Sequence, residues 1–518
     1  MPDTLKRVDL GTCRLVEVLG RLKPGVLPAV TVALLVASAA TTAAVMACGP
    51  SVAVPYLGST AAFPSPSARL SASLATALVW AGVVSGGAGI SVGLAAVRRG
   101  WRPDPRALLA GGLITAAVFA VLPPIGSVDV LSYASYGRIA SLGHDPYLMT
   151  PQQLYHAGDP LGLLVPPTWR GAPSVYGPLA TVVQWAAARI GGSSMGAVVL
   201  VLKISSVLAF GATSIVLYRL AGPDRARRAR ACLLWAVNPL MLFWLVASAH
   251  VDVLVAVALA GSLASVRRSG FVAGLLAGAA AAVRAPAALA GIGVAWARRR
   301  SPRFVLAGLL GALVVCVPGY LLAGNAALAV LGNRFVSGTG STFPVHRLTR
   351  DPLTDAVLIG VSAAVLAALL WWRLPPGYRE VPGARPALIP VLAWLAVAPV
   401  QAAWYDAMVF VFLAVMPATR LDLLVIVRCA LLSVRSLPGV SAAAKLAGVS
   451  GLTYSTVHTA LLLFVPLLVV MSLLGAFGLA RPAARAAERS GPGPLAPLET
   501  GRERERPERH GAPDVQLD

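Results

Sequence analysis

The chain has 518 residues, of which 57% are hydrophobic and only 12% are charged. Soluble domains carry about 25% charged residues, so this composition excludes an ordinary soluble protein and indicates a polytopic helical membrane protein. The formal net charge of +22 is explained by arginines and lysines in short loops that fix the topology, and no basic-aromatic module points to nucleic acid.

The N-terminal part predicts a cytoplasmic lead-in followed by three spans. Residues 1–25 are basic, and apolar runs follow at about 26–48, 74–97 and 108–122. The first run is longer than the core of a signal peptide, so we expect a retained helix. Arginines between the second and third runs mark the cytoplasmic side, which places the residues after the third run outside.

A long polar segment at 126–194 is the first predicted external loop, because it is too long and too rich in Tyr, Trp and Pro for a simple connection. Within it, residues 178–190 predict an amphipathic helix along the membrane surface. Apolar residues such as Val182 would form one side of this helix, and Gln184 and Arg189 the other.

Apolar runs continue to about residue 480, and the whole of 26–480 predicts one all-α membrane domain with about 13–14 helices that cross or enter the bilayer. Arg284 and a nearby proline split one run, which predicts a hairpin of two short helices with Arg284 near the external side. Residues 324–355 predict a second external loop. The tail 481–518 is rich in Pro, Arg, Glu and Gly and predicts a disordered cytoplasmic segment.

Polar and aromatic residues from distant parts of the chain fall on the predicted external face. They are Asp129, Tyr133, Arg138, Asp145, Tyr147, Tyr176, His250, Asp252, Arg284, Arg334, His346, Arg347, Arg350, Trp404, Tyr405 and Asp406. Charge at a membrane edge is costly unless it is solvated, paired or acting on a substrate. The set suits an enzyme that acts on a lipid-anchored substrate, with Asp129 as base, Arg and His groups on a phosphate, and aromatic rings against sugar faces.

Several of these residues have alternative interpretations. Asp129 could cap the helix that follows it, and His250 and Asp252 could pair with each other. Arg284 could snorkel to the interface, the loop arginines could be solvated charges, and the aromatic pair at Trp404 could belong to an interfacial belt. One His and one Asp do not make a metal site and the five cysteines are scattered, so no metal and no cofactor are predicted.

Several short motifs follow one another in a definite order over about residues 75–420. They are Ser127–Tyr133 with Gly137–Arg138, Gly143–Tyr147, Tyr176–Pro178, Asn238–Pro239, His250–Asp252, Arg284–Pro286 and Trp404–Tyr405. This ordered set resembles the polyprenol-phosphomannose-dependent alpha-(1→6)-mannosyltransferases of actinobacterial lipomannan assembly, which belong to the GT-C class of membrane glycosyltransferases. The chain departs from that family at Val251, where an Asn is frequent, and at Arg284, where a Lys is common.

The resemblance implies a GT-C-type helical bundle in the bacterial plasma membrane with its active site on the external side. It implies inverting transfer of mannose from a polyprenyl-phosphate donor to a lipid-linked or cell-envelope glycan, with Asp129 as the base and no nucleotide sugar. Alternatives are a GT-C transferase for another polyprenyl-phosphate sugar such as arabinose, a lipid or solute transporter, or a non-catalytic assembly subunit. A transporter would need ionisable groups near mid-membrane, whereas here they favour one edge.

Overall fold

The computed structural model describes residues 25–58, 61–64, 68–336, 351–438, 463–467 and 469, and every regular element assigned within them is helical. The α-helices are α1 (Val26–Ala47), α2 (Ala72–Arg98), α3 (Pro105–Ala120), α4 (Asp129–Ser141), α5 (Pro151–His156), α6 (Leu161–Leu164), α7 (Pro167–Arg170), α8 (Pro178–Gly191), α9 (Met195–Leu220), α10 (Arg225–Leu234), α11 (Pro239–Met241), α12 (Asp252–Ser265), α13 (Gly270–Val283), α14 (Ala288–Ala297), α15 (Pro302–Val336), α16 (Pro352–Arg373), α17 (Ala384–Val397), α18 (Ala407–Leu413) and α19 (Leu421–Ser436). A π-helical segment covers Leu242–Ala247, and 3₁₀ turns cover Ala285–Ala287 and Ala403–Asp406.

Six helical stretches in the described part of the chain are long and apolar enough to cross a membrane, judged by length and composition. They are α1, α2, α9, Arg225–Ala247, Pro302–Ala329 and Leu353–Arg373. Six shorter apolar helical stretches of 10–17 residues accompany them. This pattern confirms the predicted all-helical polytopic membrane class. The predicted span near 456–478 lies mostly outside the described residues.

The predicted loop at 324–355 begins with helix instead. α15 has a kink at Gly324, whose φ of 77° is a left-handed conformation that glycine adopts without strain, and the helix then continues to Val336. Five of the seven residues directly after the kink, 325–331, are Ala or Leu, which favour helix. The second half of this segment, 337–350, lies outside the described residues, and α16 begins at Pro352.

The helix predicted at 178–190 is present as α8, but Gln184, predicted on the polar side together with Arg189, is buried instead. Gln184 is fully buried, whereas Val182 and Ile190 are 55% and 72% exposed. The buried side packs on α4, where a Cβ at Gly137 would lie 2.1 Å from the Gln184 carbonyl oxygen. Because the two backbones approach so closely, the side of α8 that carries Gln184 faces the protein. The apolar side that carries Val182 and Ile190 is exposed.

The predicted break at Arg284 is confirmed. α13 ends at Val283, Arg284 is extended with a φ of −150°, and a 3₁₀ turn with Pro286 leads into α14. The loop before α8 docks on this break, since the Gly177 N–H donates to the Val283 carbonyl at 3.0 Å. A Cβ at Gly177 would lie 2.1 Å from a carbonyl oxygen of α13, so only glycine permits this contact, which brings the neighbouring Tyr176 close to Arg284.

The chain between α11 and α12 is irregular, and it carries His250. Its π-helical segment is followed by Ala249, which has a φ of 56° that is rare for a residue other than glycine. Two hydrogen bonds fix this path: Ser248 Oγ donates to the Ile125 carbonyl, and the buried Lys203 Nζ donates to the Ala247 carbonyl at 3.0 Å. The first bond joins the His250 loop to the chain directly before α4.

A buried ion cluster joins α2, α10 and α19 around Asp422. Arg230 Nη2 lies 2.7 Å from Asp422 Oδ1, and its Nη1 donates to the Met416 carbonyl at 2.7 Å. Arg98 Nη2 lies 3.2 Å from Asp422 Oδ2. The side chain of Arg98 is 46% exposed and that of Arg230 is 8% exposed, so the two arginines lie in very different surroundings.

Candidate active site

Asp129 is the first residue of α4, directly after a turn that contains Gly126 with a φ of 77°. Ser127 Oγ accepts the Asp129 backbone N–H at 3.1 Å, and the N-cap residue Val128 supplies no side-chain bond. The N-cap position thus falls on Val128, one residue before Asp129. The Asp129 carboxylate Oδ2 lies 3.7 Å from His250 Nδ1, and the side chain keeps 20% of its surface exposed.

His250 is fully buried at the centre of the cluster. The Tyr133 hydroxyl lies 3.2 Å from its Nδ1, and the Trp404 ring stacks on the imidazole at a centroid distance of 3.9 Å and an angle of 13°. Burial, and after it the positive charge of Arg284, lowers the pKa of His250 well below its usual value. The imidazole is therefore neutral at pH 7, with one N–H donor and one acceptor nitrogen.

Arg284 pairs with Asp252, which begins α12. The Arg284 Nη2 lies 3.0 Å from Asp252 Oδ2 and its Nε lies 2.9 Å from Oδ1. The guanidinium also lies over the Tyr405 ring at 4.3 Å and near the Tyr176 ring at 5.5 Å. With its side chain only 11% exposed, Arg284 does not snorkel, and Asp252 pairs with it rather than with His250.

Two tyrosines close the space between Asp129 and Arg284. Tyr133 and Tyr176 meet edge to face, with ring centroids 4.9 Å apart and an interplanar angle of 85°. Burial is the largest cause that raises the pKa of both phenols well above 10. Both hydroxyls are therefore protonated at neutral pH and can donate hydrogen bonds beside the Asp129 carboxylate.

A cavity of about 110 Å³ opens beside Tyr176, Arg284 and Tyr405. The remaining lining is mostly apolar and comes from the chain neighbours of Tyr176 and Arg284, from α15, from α17 and from the chain that follows α17. Tyr320 is the lining residue of α15 that brings a hydroxyl group. The site thus has a charged, aromatic end next to an apolar space.

The turn with Trp404 and Tyr405 is held by an ion pair that the sequence analysis did not identify. The Asp406 carboxylate is buried against the Arg428 guanidinium of α19. Arg428 Nη2 also donates to the Leu395 carbonyl at 3.0 Å and to Gln401 Oε1 at 3.1 Å. An arginine in the middle of the apolar run of α19 was the available signal, because such a charge needs a partner.

Three predicted site residues are not in this cluster. Arg138 pairs with Asp159 at 2.6 Å. Asp145 Oδ1 accepts the Tyr147 backbone N–H at 2.8 Å, and the Tyr147 hydroxyl lies 2.8 Å from Thr181 Oγ1. Asp145 and Tyr147 line a second cavity of about 430 Å³.

Four other predicted site residues remain predictions. The backbone of Arg334 lies in α15, but its side chain is outside the described part of the structure. His346, Arg347 and Arg350 lie outside the described residues altogether. Within the described ranges, no three His, Cys, Asp or Glu side chains are grouped so that they could hold a metal ion.

Comparison with known proteins gives one family match. A family model described as alpha-(1->6)-mannopyranosyltransferase, N-terminal domain, matches residues 26–300, which is more than half of the chain. This range includes Asp129, Tyr176, His250 and Arg284, whereas the Trp404 turn lies beyond it.

Curated relatives match over shorter stretches. An alpha-(1->6)-mannopyranosyltransferase of Mycobacterium tuberculosis is 35% identical over 139 residues, which are 26% of this chain and 23% of that protein. A probable alpha-(1->6)-mannopyranosyltransferase of Mycolicibacterium smegmatis is 30% identical over 148 residues, 28% of this chain and 26% of the relative. Alpha-(1->6)-mannopyranosyltransferase B of Corynebacterium glutamicum is 29% identical over 127 residues, 24% and 21% of the two chains. The matched stretch thus spans about a quarter of each relative's length.

Proposed function

The chain belongs to the alpha-(1→6)-mannopyranosyltransferase family, and on that premise we propose that it transfers mannose from a polyprenyl-phosphate-mannose donor. The acceptor is a hydroxyl group of a lipid-linked or cell-envelope glycan, and the transfer inverts the anomeric carbon. The site lies at the external side of the plasma membrane. Arginines at 98–106, 225–230 and 298–300 support this placement, because clustered arginines in short loops favour the cytoplasmic side.

The single observation that carries this proposal is the pairing of a partly exposed carboxylate with a buried, neutral imidazole at Asp129 and His250. Asp129 takes the proton of the acceptor hydroxyl, and the oxygen forms a bond to the mannose anomeric carbon. The bond from that carbon to the phosphate oxygen breaks, and polyprenyl phosphate leaves as the anion. His250 lies beside the carboxylate, and His250 and the protonated Tyr133 are the proposed hydrogen-bond partners of the acceptor.

Arg284 is the proposed contact for the leaving phosphate. Its Nη2 donates to Asp252 Oδ2 and its Nε lies close to Oδ1, and no hydrogen bond of Nη1 is found among the described residues, so Nη1 is the group proposed to bind a phosphate oxygen in the adjacent cavity. A cation that is already held in place stabilises developing negative charge without further reorganisation. The Tyr176 and Tyr405 rings on either side of this guanidinium are suited to stack against a sugar face.

The test is transfer of radiolabelled mannose from polyprenyl-phosphate-mannose in membranes that contain the wild type or Asp129→Asn. We expect the variant to lose transfer by about 10²–10⁴-fold, the range of general-base catalysis, while its thermal unfolding in detergent stays unchanged. Asp104→Asn is the matched control, since Asp104 caps α3 through the Arg106 N–H and Asn caps equally well.

Near-normal transfer by a folded Asp129→Asn protein would overturn the assignment of the base. If the wild type also fails with mannose, the same assay with other polyprenyl-phosphate sugars, including arabinose, decides whether only the sugar is wrong. Failure with every such donor, by a folded wild type, would contradict the transferase proposal itself.

A further inference from the structure

A basic cleft lies far from the active site, between the ends of α14, α16 and α17. Its volume is about 290 Å³. We use the term basic cleft for the space lined by Trp296, Arg299, Trp371, Tyr378, Arg379 and Arg385. Its three arginines come from two stretches of the chain, Arg299 after α14 and both Arg379 and Arg385 around the start of α17, and none of the residues that line it is acidic.

The basic cleft and the active-site cavity lie at opposite ends of the same two helices. α14 starts directly after the Arg284 turn and ends near Trp296, whereas α17 starts at Ala384 and ends near the cavity. These helices have 10 and 14 residues, so the two sites are separated by about 15–21 Å. The helices pack tightly, since a Cβ at Gly293 would lie 2.2 Å from the Pro386 carbonyl oxygen.

Aromatic rings hold two of the arginines without neutralising them. The Arg299 guanidinium lies 4.7 Å from the Trp296 ring centroid, and that of Arg385 lies 4.5 Å from the Trp371 centroid. Each also donates to the backbone carbonyl of the same tryptophan. An arginine has five N–H donors, so each guanidinium group retains donors for an anion. The stacked tryptophan ring fixes the plane of the guanidinium.

The neighbouring carboxylate does not cancel this charge. Glu380, which follows Arg379, is 61% exposed and lies 3.8 Å from Arg227. Arg227 in turn lies over the Tyr378 ring at 3.7 Å, on the edge of the cleft. The cleft therefore keeps an excess of positive charge, and it is suited to a phosphate group.

The surroundings of the cleft point to a lipid rather than a soluble anion. Trp372, next to Trp371, is 69% exposed, and Val361 and Val365 further along α16 are each 55% exposed. An exposed apolar helix side that ends in tryptophans is typical of the level where lipid tails meet headgroups. A phosphate at that level belongs to a phospholipid headgroup, and basic pockets between membrane helices are known headgroup sites.

We propose that the basic cleft binds the phosphate headgroup of an anionic phospholipid from the membrane leaflet opposite the active site. The arginines contact the phosphate, and the acyl chains lie along the exposed apolar side of α16. This inference goes beyond the sugar transfer, and it uses none of the residues placed in the active site.

The test measures lipid binding by the purified full-length chain in nanodiscs, with native mass spectrometry of phosphatidylglycerol and phosphatidylcholine retained by the protein. The variant carries Arg299→Gln, Arg379→Gln and Arg385→Gln. The control carries Arg106→Gln, Arg267→Gln and Arg268→Gln, three exposed arginines outside the cleft, and so has the same change of charge. Arg379→Gln alone is a milder variant at an exposed residue, for the case that the triple variant unfolds.

We expect the wild type to retain phosphatidylglycerol in preference to phosphatidylcholine. The cleft variant should lose at least tenfold in phosphatidylglycerol affinity, the single variant about fivefold, and the control less than twofold. Equal losses in cleft variant and control would overturn the proposal in favour of diffuse surface charge. Equal retention of both lipids, or displacement of the lipid by inorganic phosphate in buffer, would also overturn it. Mannose transfer in the same samples is a separate readout, so failure here leaves the proposed function untouched.

Discussion

Arg284 and Asp252 form a buried ion pair in the proposed active site. Each charge would be costly at this depth if it stood alone, and the pair offsets most of that cost. The same pair fixes the guanidinium between two tyrosine rings, beside the cavity. For the proposed reaction, Asp252 is thus a positioning residue that acts through Arg284.

Substitutions at this pair separate stability from transfer. Arg284→Gln leaves the Asp252 carboxylate buried without its partner, so we expect a loss of about 3–5 kcal/mol in the free energy of unfolding. The double variant Arg284→Gln with Asp252→Asn removes both charges and should recover most of this stability, measured by thermal unfolding in detergent. Transfer should stay low in both variants.

The conservative variant Arg284→Lys completes this series. A lysine keeps the charge next to Asp252 but has no second terminal nitrogen for the phosphate, so we expect KM for the donor to rise about tenfold with a smaller change in kcat. Wild-type transfer by the double neutral variant would show that the phosphate contact lies elsewhere.

His250 predicts a pH dependence of stability. Burial and Arg284 lower the pKa of His250 in the folded protein below the usual 6.5. The unfolded chain therefore binds a proton at the imidazole more readily than the folded protein does. The stabilisation is complete above about pH 6.5 and is lost as the pH falls towards the folded pKa, by up to about 1.4 kcal/mol per pH unit. The difference in unfolding free energy between the wild type and His250→Gln, measured between about pH 7 and pH 5, should show this slope. His156→Gln, at an exposed residue, is the matched control variant.

At the scale of elements, the chain from α17 to α18 forms one wall of the site, and α19 holds it there. A single guanidinium, that of Arg428, bonds the end of α17, the Gln401 side chain and the Asp406 turn. This wall supplies Trp404, which stacks on His250, and Tyr405, which contacts Arg284. It lies beyond the part of the chain that the family model matches.

We therefore expect Arg428 to be a positioning residue. The double variant Arg428→Met with Asp406→Leu removes both buried charges, so it should fold. Its KM for the donor should rise by about tenfold or more because the wall shifts relative to Arg284. Arg420→Gln, at an exposed arginine just before α19, is the matched control and should have wild-type KM. An unchanged KM in the double variant would show that the wall keeps its place without Arg428.

Elements could be predicted from the sequence where a local signal decides the backbone. The Arg-Ala-Pro motif marked the break between α13 and α14, since proline cannot continue a regular helix. The π-helical segment before His250 had no such signal, because it is a shift of hydrogen-bond register inside a uniformly apolar run. The burial of Gln184 in α8 could not be predicted, because the close approach at Gly137, not hydropathy, determines which side of α8 is buried.

The site could be predicted only in part. Eight of the predicted residues come together, from Asp129 in α4 to Tyr405 in the 3₁₀ turn. Sequence order alone could not show which carboxylate Arg284 would select, because that depends on how α12 and α13 pack. Sequence order also could not show that Arg138 would pair with Asp159, which lies 21 residues further along the chain.

At the scale of the whole molecule, the ion cluster at Asp422 fastens α19 to two helices of the N-terminal half. The two arginines should differ in their effect. Arg230→Met removes a buried partner, so we expect a loss of about 3–5 kcal/mol in the free energy of unfolding. Arg98→Met removes a half-exposed one and should cost less than about 1 kcal/mol. Thermal unfolding in detergent measures both, and equal effects would contradict a dominant role for burial.

The long helix α15 has one more consequence. In its apolar part, Pro302–Ala329, only 6% of the most apolar 18-residue stretch is buried, yet Tyr320 and Ala327 line the cavity of the proposed active site. A single helix thus separates the cavity from the hydrocarbon around the protein. The proposed donor, anchored by its polyprenyl tail, meets the enzyme by diffusion in two dimensions. The quantity that determines saturation of the site is then the mole fraction of donor among the lipids. Adding inert lipid to the vesicles lowers the rate per enzyme molecule, whereas diluting the same vesicles in buffer does not.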